Sequence, residues 1–258
     1  MSTALVTGGS SGIGLAFADA LAARGDDLVL VARDTARLEA AARQLRGRHR
    51  VTVETLSADL TSLDGIRSVE SFIESHEIAT LVNNAGFAAH TDLLGADWSG
   101  QVDALNAMAL AVLVLSGAAG RQMTGRGAGE IVNVSSINAL IDADVYSATK
   151  RWVIGYTEAL AGRLSGTGVH ATVVLPGWVR TNYHAAAGMR RPHLPGWAWT
   201  SPGQVAAEAL AAVAAGRVQV TPKAIWKVAG WVLRHGPAWL PRRVAAGVRR
   251  GHDKQGAR

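Results

Sequence analysis

Tyr146 and Lys150 are the two side chains whose types and spacing point most directly to chemistry. Residues four apart lie on one face of a helix, so the ammonium of Lys150 is expected beside the phenol of Tyr146. A nearby cation favours the phenolate and lowers a phenol pKa from its usual value of about 10. That change brings the phenol toward the range of a general acid/base near neutral pH. An exposed polar helix face would show the same spacing, so the interpretation depends on the surrounding motifs.

A glycine-rich turn follows the first predicted strand, with the spacing Thr7-Gly8-x-x-x-Gly12-x-Gly14. Glycines let the backbone turn tightly and approach a pyrophosphate, while the N-terminus of the following helix faces the anion. A turn of this kind without a ligand is the alternative. The residues predicted to contact a dinucleotide here are Gly8, Ser10, Ser11, Gly12, Ile13 and Gly14.

The end of the second predicted strand indicates which dinucleotide is bound. Sites for NAD usually place an acidic residue there, where it binds the ribose 2′-hydroxyl. This chain has Ala32 in that place, and Arg33 follows. An arginine can pair with a 2′-phosphate through a planar, charge-assisted fork, which predicts NADP(H). The alternative is that Arg33 is a solvated surface charge.

The composition bounds the kind of protein. The 258 residues fit one α/β domain or two small ones, and the chain contains no cysteine. Disulfides, thiolate catalysis and cysteine-ligated metals are therefore excluded. The N-terminal residues show no secretory signal pattern, and the apolar stretch over residues 104–115 suits a buried helix better than a membrane span. We predict a cytoplasmic protein.

The elements that must position these residues alternate between strands and helices. Apolar runs predict strands over residues 3–6, 28–31, 51–56, 80–82, 131–134, 169–175 and, briefly, 217–221. Helices are predicted between them, two of them starting at Asp34 and Ser62, and two long ones cover residues 98–123 and 145–164. Uninterrupted apolar strands are typical of a parallel sheet covered on both faces. The prediction is one doubly wound Rossmann-type domain over residues 1–221, with about seven strands.

Residues 222–258 are predicted to form a basic helical extension, not an independent domain. From residue 216 to 258 there are ten Lys or Arg and one acid, a charge of +9, so the remainder of the +6 chain carries about −3. Residues 224–234 and 242–250 have helical periodicity, and Trp226, Trp231 and Trp239 interleave with the cations. Packing on its own domain, covering the substrate cleft, packing on another subunit and contact with an anionic bilayer all stay open. The charge alone would allow nucleic-acid binding, but nothing else in the sequence supports it, and we predict no nucleic-acid partner.

Several motifs in a fixed order resemble those of the short-chain dehydrogenase/reductase superfamily, from residue 3 to about residue 220. The resemblance implies an oxidoreductase that interconverts ketones or aldehydes with alcohols, and it commonly implies a homodimer or homotetramer. The matching segments are Thr7-Gly8-x-x-x-Gly12-x-Gly14, Asp59-Leu60, Asn83-Asn84-Ala85-Gly86, Asn106, Val134-Ser135-Ser136, Tyr146-x-x-x-Lys150 and Pro176-Gly177-Trp178-Val179-Arg180-Thr181.

The resemblance assigns roles to four catalytic residues. Tyr146 would exchange a proton with the substrate oxygen as hydride is transferred. Lys150 would favour the phenolate and hold the nicotinamide ribose. Ser136 would hydrogen-bond the substrate oxygen, and Asn106 would anchor a water that links Lys150 to solvent. The remaining cofactor contacts that the resemblance implies are Asp59 and Leu60 at the adenine, Asn84, Ala85 and Gly86 after the fourth strand, and Pro176, Gly177, Val179 and Thr181 near the carboxamide.

The serine assignment departs from the family pattern. The family's usual interval from serine to tyrosine is thirteen residues, whereas Ser136 precedes Tyr146 by ten. Thirteen residues before Tyr146 stands Asn133, a poor candidate in the middle of a strand. We interpret the difference as a three-residue deletion in the loop over residues 137–145, and Ser135 is the alternative if the alignment is off by one.

The predicted substrate loop covers residues 178–202. Its aromatic, methionine and histidine content favours a bulky, largely apolar ketone or alcohol; these residues are Tyr183, His184, Met189, His193, Trp197 and Trp199. The two histidines lack metal-site spacing, and no metal is predicted. A cofactor-binding sensor or scaffold without turnover is the alternative function.

Overall fold

A computed structural model describes residues 2–87, 93–141, 143–181, 195–237, 239–241 and 243–245. Seven strands form one sheet in the order β3-β2-β1-β4-β5-β6-β7, and every neighbouring pair is parallel. The predicted parallel, doubly wound sheet is confirmed. The strands are β1 Thr3–Thr7, β2 Asp27–Ala32, β3 Val53–Ser57, β4 Thr80–Asn83, β5 Gly129–Val134, β6 Val169–Val174 and β7 Gln219–Val220.

Eight α-helices lie within the described ranges, and all but the last cover the two faces of the sheet. Asp34 and Ser62 cap their helices as predicted, because their side chains accept from the backbone N–H of Arg37 and Gly65. The helices are α1 Gly12–Ala23, α2 Thr35–Arg48, α3 Leu63–Ser75, α4 Ser99–Leu105, α5 Ala111–Arg126, α6 Val145–Leu164, α7 Pro202–Ala214 and α8 Ala224–His235.

The apolar strands bury side chains on both faces of the sheet. In β1, Ala4 and Val6 join a core with α1, α2 and α7, whereas Leu5 joins a second core with α3 and α5. Successive strand residues point to opposite faces, so a run without polar residues fills both cores at once. This explains why the predicted strands did not alternate in polarity.

One helical run is long and apolar enough to cross a membrane by length and composition. It covers Ser99–Arg126 and contains α4, a π-helical turn over Asn106–Leu110, and α5. Half of its apolar window is buried inside the fold. Since α5 packs on α3 and on the sheet, this run is a core helix, as the sequence predicted.

A buried polar network joins the two central strands β4 and β5. Asn83 Nδ2 donates to Asn133 Oδ1 at 2.9 Å and to Ser116 Oγ at 3.0 Å. Asn133 Nδ2 donates in turn to Thr157 Oγ1 at 3.0 Å. The side chain of Asn133 is thus fully engaged inside the fold, which supports excluding it as the substrate-binding residue.

The C-terminal helix α8 packs against the loop that follows β5. A Cβ placed on Gly230 would lie 3.0 Å from Ile137 Cδ1, in the short 3₁₀ helix Ile137–Leu140. Leu233 packs on a small cluster of Ile141, Ala143 and Ala245. The second predicted C-terminal helix, residues 242–250, lies mostly outside the described residues.

Candidate active site

Tyr146 and Lys150 lie in the first turns of α6. The helix begins at Val145, as predicted, because Asp144 and Ser147 form a reciprocal capping box. Asp144 Oδ1 accepts from the Ser147 N–H at 2.8 Å. Lys150 Nζ stands 5.8 Å from the centre of the Tyr146 ring. The pair therefore shares one helix face, with the ammonium beside the phenol.

Lys150 is buried, and its ammonium is hydrogen-bonded to the end of a strand. Its Nζ donates to the carbonyl of Val134 at 2.8 Å, at the carboxyl end of β5. Burial lowers the pKa of Lys150 from 10.5 to about 8, because the ammonium loses hydration. The group is still mostly protonated at neutral pH, so it acts as a fixed cation next to Tyr146.

The two candidate serines have different surroundings. Ser135 is buried, and its hydroxyl donates to the backbone carbonyl of Lys150 at 2.7 Å. Ser136 is partly exposed, and its Oγ accepts from the N–H of Asn138 at 3.1 Å. A hydroxyl in that position keeps its own hydrogen for another acceptor. The geometry therefore favours Ser136 over Ser135 as a donor to substrate. Of the shortened loop, Asp142 lies outside the described residues.

Asn106 stands at the first position of the π-helical turn between α4 and α5. Its Nδ2 donates to the carbonyl of Thr61 at 2.8 Å, and the residue is partly exposed. Insertions of this kind in helices are frequent at functional sites, because they redirect backbone groups. The amide of Asn106 is thereby fixed in orientation.

The glycine-rich turn between β1 and α1 fits a phosphate. Gly8 has φ of +66°, a conformation that glycine adopts without strain. A Cβ on Gly14 would overlap the carbonyl oxygen of Gly8, so the turn is too tight for a side chain there. Ser11 precedes α1 without capping it, and the first turn holds no acidic residue. These N–H groups are left for an anion, which is the arrangement a dinucleotide pyrophosphate requires.

Thr7 joins the glycine-rich turn to the segment after β4. Its Oγ1 accepts from the N–H of Asn84 at 2.9 Å and from that of Ala85 at 3.0 Å. A Cβ on Gly86 would lie 3.5 Å from Lys150 Nζ, so this backbone passes directly over the buried lysine. Thr7 was not among the predicted contact residues. Its position as the first residue of the glycine motif was the signal that could have identified it.

Arg33 lies at the carboxyl end of β2 with its guanidinium accessible. The side chain is 62% exposed, and its Nη1 is 4.0 Å from Asp59 Oδ2. Asp59 also accepts from the N–H of Thr61 at 3.0 Å, which orients the carboxylate, and Leu60 beside it is buried. Exposed ion pairs at this distance are weak, so Arg33 is free to turn toward a phosphate.

The Pro-Gly turn after β6 contacts both the glycine-rich turn and α8. A Cβ on Gly12 would lie 3.4 Å from Thr181 Cγ2, which places Thr181 next to the pyrophosphate cradle. The indole of Trp226, from α8, lies directly on Gly177 and leaves no room for a side chain there. Its Nε1 donates to the carbonyl of Ala198 at 2.9 Å. Sequence reasoning missed Trp226 as a neighbour of the site.

The two ends of the substrate loop are tied together beside this turn. Val179 is buried and forms a parallel bridge with Thr200. The rings of Trp178 and Trp199 meet edge to face, with centroids 6.1 Å apart, and Trp197 is exposed. The predicted loop residues Tyr183, His184, Met189 and His193 lie outside the described residues. Where it is described, the loop presents large aromatic surfaces.

A parallel, doubly wound sheet with a phosphate cradle after β1 and a Tyr–Lys pair after β5 defines a Rossmann-type oxidoreductase. The family model "short chain dehydrogenase" matches residues 2–191. The chain belongs to the short-chain dehydrogenase/reductase family, and it is an NAD(P)-dependent oxidoreductase of CH–OH and C=O groups.

Three known proteins illustrate the similarity. Galactitol 2-dehydrogenase (L-tagatose-forming) of Cereibacter sphaeroides is 37% identical over 187 residues, covering 69% of this chain and 71% of that protein. A short-chain dehydrogenase of Sphingobium yanoikuyae, solved in complex with NADPH, has a TM-score of 0.80 at 30% identity and covers 98% of this chain and 96% of its own. The bulky-bulky ketone specific alcohol dehydrogenase of Comamonas testosteroni has a TM-score of 0.76 at 26% identity, with coverages of 98% and 94%.

Proposed function

We propose that the protein is an NADPH-dependent reductase that converts a bulky, largely apolar ketone or aldehyde to the alcohol, or catalyses the reverse reaction. The observation that carries this proposal is the position of Tyr146 beside the buried ammonium of Lys150, under the backbone of Gly86. A proton donor and a fixed cation thus meet where the strand ends face a dinucleotide.

Each catalytic residue has a defined task in this proposal. The cofactor supplies the hydride when it is bound. Tyr146 gives its hydroxyl proton to the substrate oxygen, and the ammonium of Lys150 stabilises the phenolate that remains. Ser136 donates a hydrogen bond to the same oxygen, where negative charge develops. Asn106 holds the water through which Lys150 is supplied with protons from solvent.

Arg33 supports NADPH over NADH as the cofactor. An exposed guanidinium follows β2, and Ala32 stands where a carboxylate would otherwise bind the ribose hydroxyl. The NADPH complex of the Sphingobium protein agrees with this choice. The cofactor contacts proposed for this chain are those predicted from the sequence, and Thr7 positions two of them, Asn84 and Ala85.

The aromatic lining supports a bulky substrate. Trp178 and Trp199 lie at the two ends of the substrate loop, next to the turn at Gly177. Large apolar side chains bury apolar substrate surface, and few polar groups are needed to orient it. The ketone named for the Comamonas enzyme, with bulky groups on both sides, is the corresponding substrate class.

Initial-rate kinetics with NADPH and NADH against a panel of small and bulky ketones tests the proposal. We expect turnover of bulky aromatic or alicyclic ketones with NADPH. Arg33→Ala should raise the KM for NADPH roughly tenfold, because it removes a charge-assisted hydrogen bond, and leave the KM for NADH unchanged. Tyr146→Phe should lower kcat roughly 10²–10⁴-fold.

Two outcomes would oppose the proposal. NADPH binding without oxidation of any carbonyl compound would favour the sensor or scaffold alternative. A wild-type preference for NADH would overturn the role of Arg33. Tyr156→Phe, on the same helix, is the matched control for Tyr146→Phe, because its hydroxyl donates to Leu113 at 3.1 Å, away from Lys150.

A further inference from the structure

Helix α8 has an inner face that packs on the domain and an outer face that does not. Trp226, Gly230 and Leu233 form the inner face, against Gly177, Ile137 and Ile141. Their spacing of three and four residues is that of one helix stripe.

Apolar side chains occupy the outer face of α8. Val228 and Trp231 are 63% and 64% exposed, and Ile225 and Val232 are also exposed. The segment after the helix adds exposed Trp239 and Val244. A helix at the edge of a folded domain normally directs such residues inward, so an exposed apolar stripe of this kind indicates an interaction surface.

Cations flank this apolar stripe. Lys227 and Arg234 lie on one side of α8, where each also has a polar partner on the domain. The guanidinium of Arg243 stands 5.7 Å from the centre of the Trp239 ring. Residues 216–258 carry ten Lys or Arg and one acid, whereas the remainder of the chain is slightly acidic. The positive charge of the sequence is thus concentrated in the segment that contains the exposed tryptophans.

We propose that the outer face of α8, formed by Ile225, Val228, Trp231 and Val232, docks on an anionic lipid bilayer. Valine and isoleucine side chains enter the acyl boundary, tryptophan rings lie at the headgroup level, and the flanking cations attract acidic headgroups. The opposite charges of the segment and of such a membrane favour this occupant.

A second copy of the chain fits the same surface less well. A two-fold interface brings identical patches together, so two segments of charge +9 would face each other. Like charges brought together across an interface oppose association. A bilayer of acidic lipids meets the same cations with opposite charge. The proposal does not depend on the catalytic activity.

Flotation of the full chain with lipid vesicles tests the proposal. One set of vesicles is pure phosphatidylcholine, and the other contains about a third phosphatidylglycerol. The variant carries Val228→Ser and Trp231→Ser, which leave the inner face of α8 unchanged. Trp98→Ser is the control, because Trp98 is 65% exposed at the start of α4, outside this segment.

Wild type and Trp98→Ser should float with the anionic vesicles, and high salt should weaken this binding. The double variant should bind them roughly tenfold more weakly, because two apolar anchors are lost. Equal recovery of wild type with and without anionic vesicles would overturn the proposal. An equal loss of vesicle binding in Trp98→Ser would also overturn it. A double variant that floats normally but has a smaller mass by light scattering would overturn it too, because that result would assign this face to a subunit interface.

Discussion

Lys150 is a buried cation without a described carboxylate partner, and its ammonium is held by the carbonyl of Val134. A buried charge of this kind costs stability, because hydration is lost and a single neutral acceptor replaces it only in part. The same burial keeps the cation next to Tyr146 and away from bulk water. At the scale of the single residue, the burial of Lys150 lowers the stability of the fold and fixes a positive charge at the site.

The stability of the cofactor-free protein should therefore increase with pH above neutrality. The pKa of Lys150 is about 8 in the folded state and 10.5 in the unfolded chain, so the unfolded state binds more protons between these values. The penalty is complete below pH 8 and is relieved as the pH rises toward 10.5. This drop in pKa corresponds to ~3 kcal/mol.

Urea unfolding of wild type and Lys150→Met at pH 7.5 and 10.5 measures this effect. The free energy of unfolding of wild type relative to the variant should rise by about 3 kcal/mol between the two pH values. Methionine packs in a similar volume and does not titrate. If the free energy of unfolding changed equally with pH in the two proteins, the Lys150 ammonium would be hydrated in the folded state, contrary to the prediction.

The serine pair should separate catalysis from stability. Ser136→Ala should lower kcat roughly 10²–10³-fold with little change in unfolding, since it removes a donor to the developing negative charge. Ser135→Ala removes a buried hydrogen bond to the Lys150 carbonyl and should cost about 1–2 kcal/mol of stability. Kinetics and urea unfolding of both variants decide the assignment. The opposite pattern would place the substrate hydrogen bond on Ser135.

At the scale of the element, the segments that hold the site were predicted because their signals are local. The start of α6 at Val145 follows from its caps, and the glycine-rich turn follows from its spacing. The contact of Trp226 with Gly177 was not predicted. No local pattern records which distant turn a helix will cover, because that choice depends on how α8 fits between two loops.

Trp226 should hold the Pro-Gly turn in place. Its indole covers Gly177 and ties it to Ala198 through a hydrogen bond of 2.9 Å. Trp226→Ala removes much of this contact and should lower the free energy of unfolding by about 2–4 kcal/mol. We also expect NADPH to bind roughly tenfold more weakly, because the turn loses its support.

Trp226→Phe distinguishes positioning from general destabilisation. It keeps an aromatic ring over Gly177 and loses the hydrogen bond to Ala198, so NADPH affinity should be largely restored. Fluorescence titration with NADPH and urea unfolding measure the two effects separately. Unchanged NADPH affinity in a destabilised Trp226→Ala protein would limit the residue to a structural role.

At the scale of the whole molecule, α4, α5 and α6 present a second exposed apolar surface. Leu105, Leu113 and Trp152 are exposed on these helices, and Trp152 stacks on Tyr156 with ring centres 5.0 Å apart. Because Tyr146 lies on α6 and Asn106 lies in the turn that joins α4 to α5, we propose that these helices pair two subunits and thereby support the site. The proposed assembly would be a homodimer or homotetramer.

Light scattering after gel filtration tests this assembly. Wild type should show a multiple of the chain mass of 26.9 kDa, and Leu113→Glu with Trp152→Glu should shift it toward a single chain. Leu63→Glu is the control, since Leu63 is exposed on α3. A monomeric wild type, or an assembly unaffected by the double variant, would contradict the prediction.

The position of Trp226 over Gly177 also has a consequence for protein synthesis. Domains begin to fold from the N-terminal side while the ribosome extends the chain. A nascent chain that has emerged from the ribosome as far as β7 exposes all seven described strands, yet its Pro-Gly turn is uncovered until α8 has also emerged. The sheet can thus form before the Pro-Gly turn is covered, because the covering indole arrives only with α8.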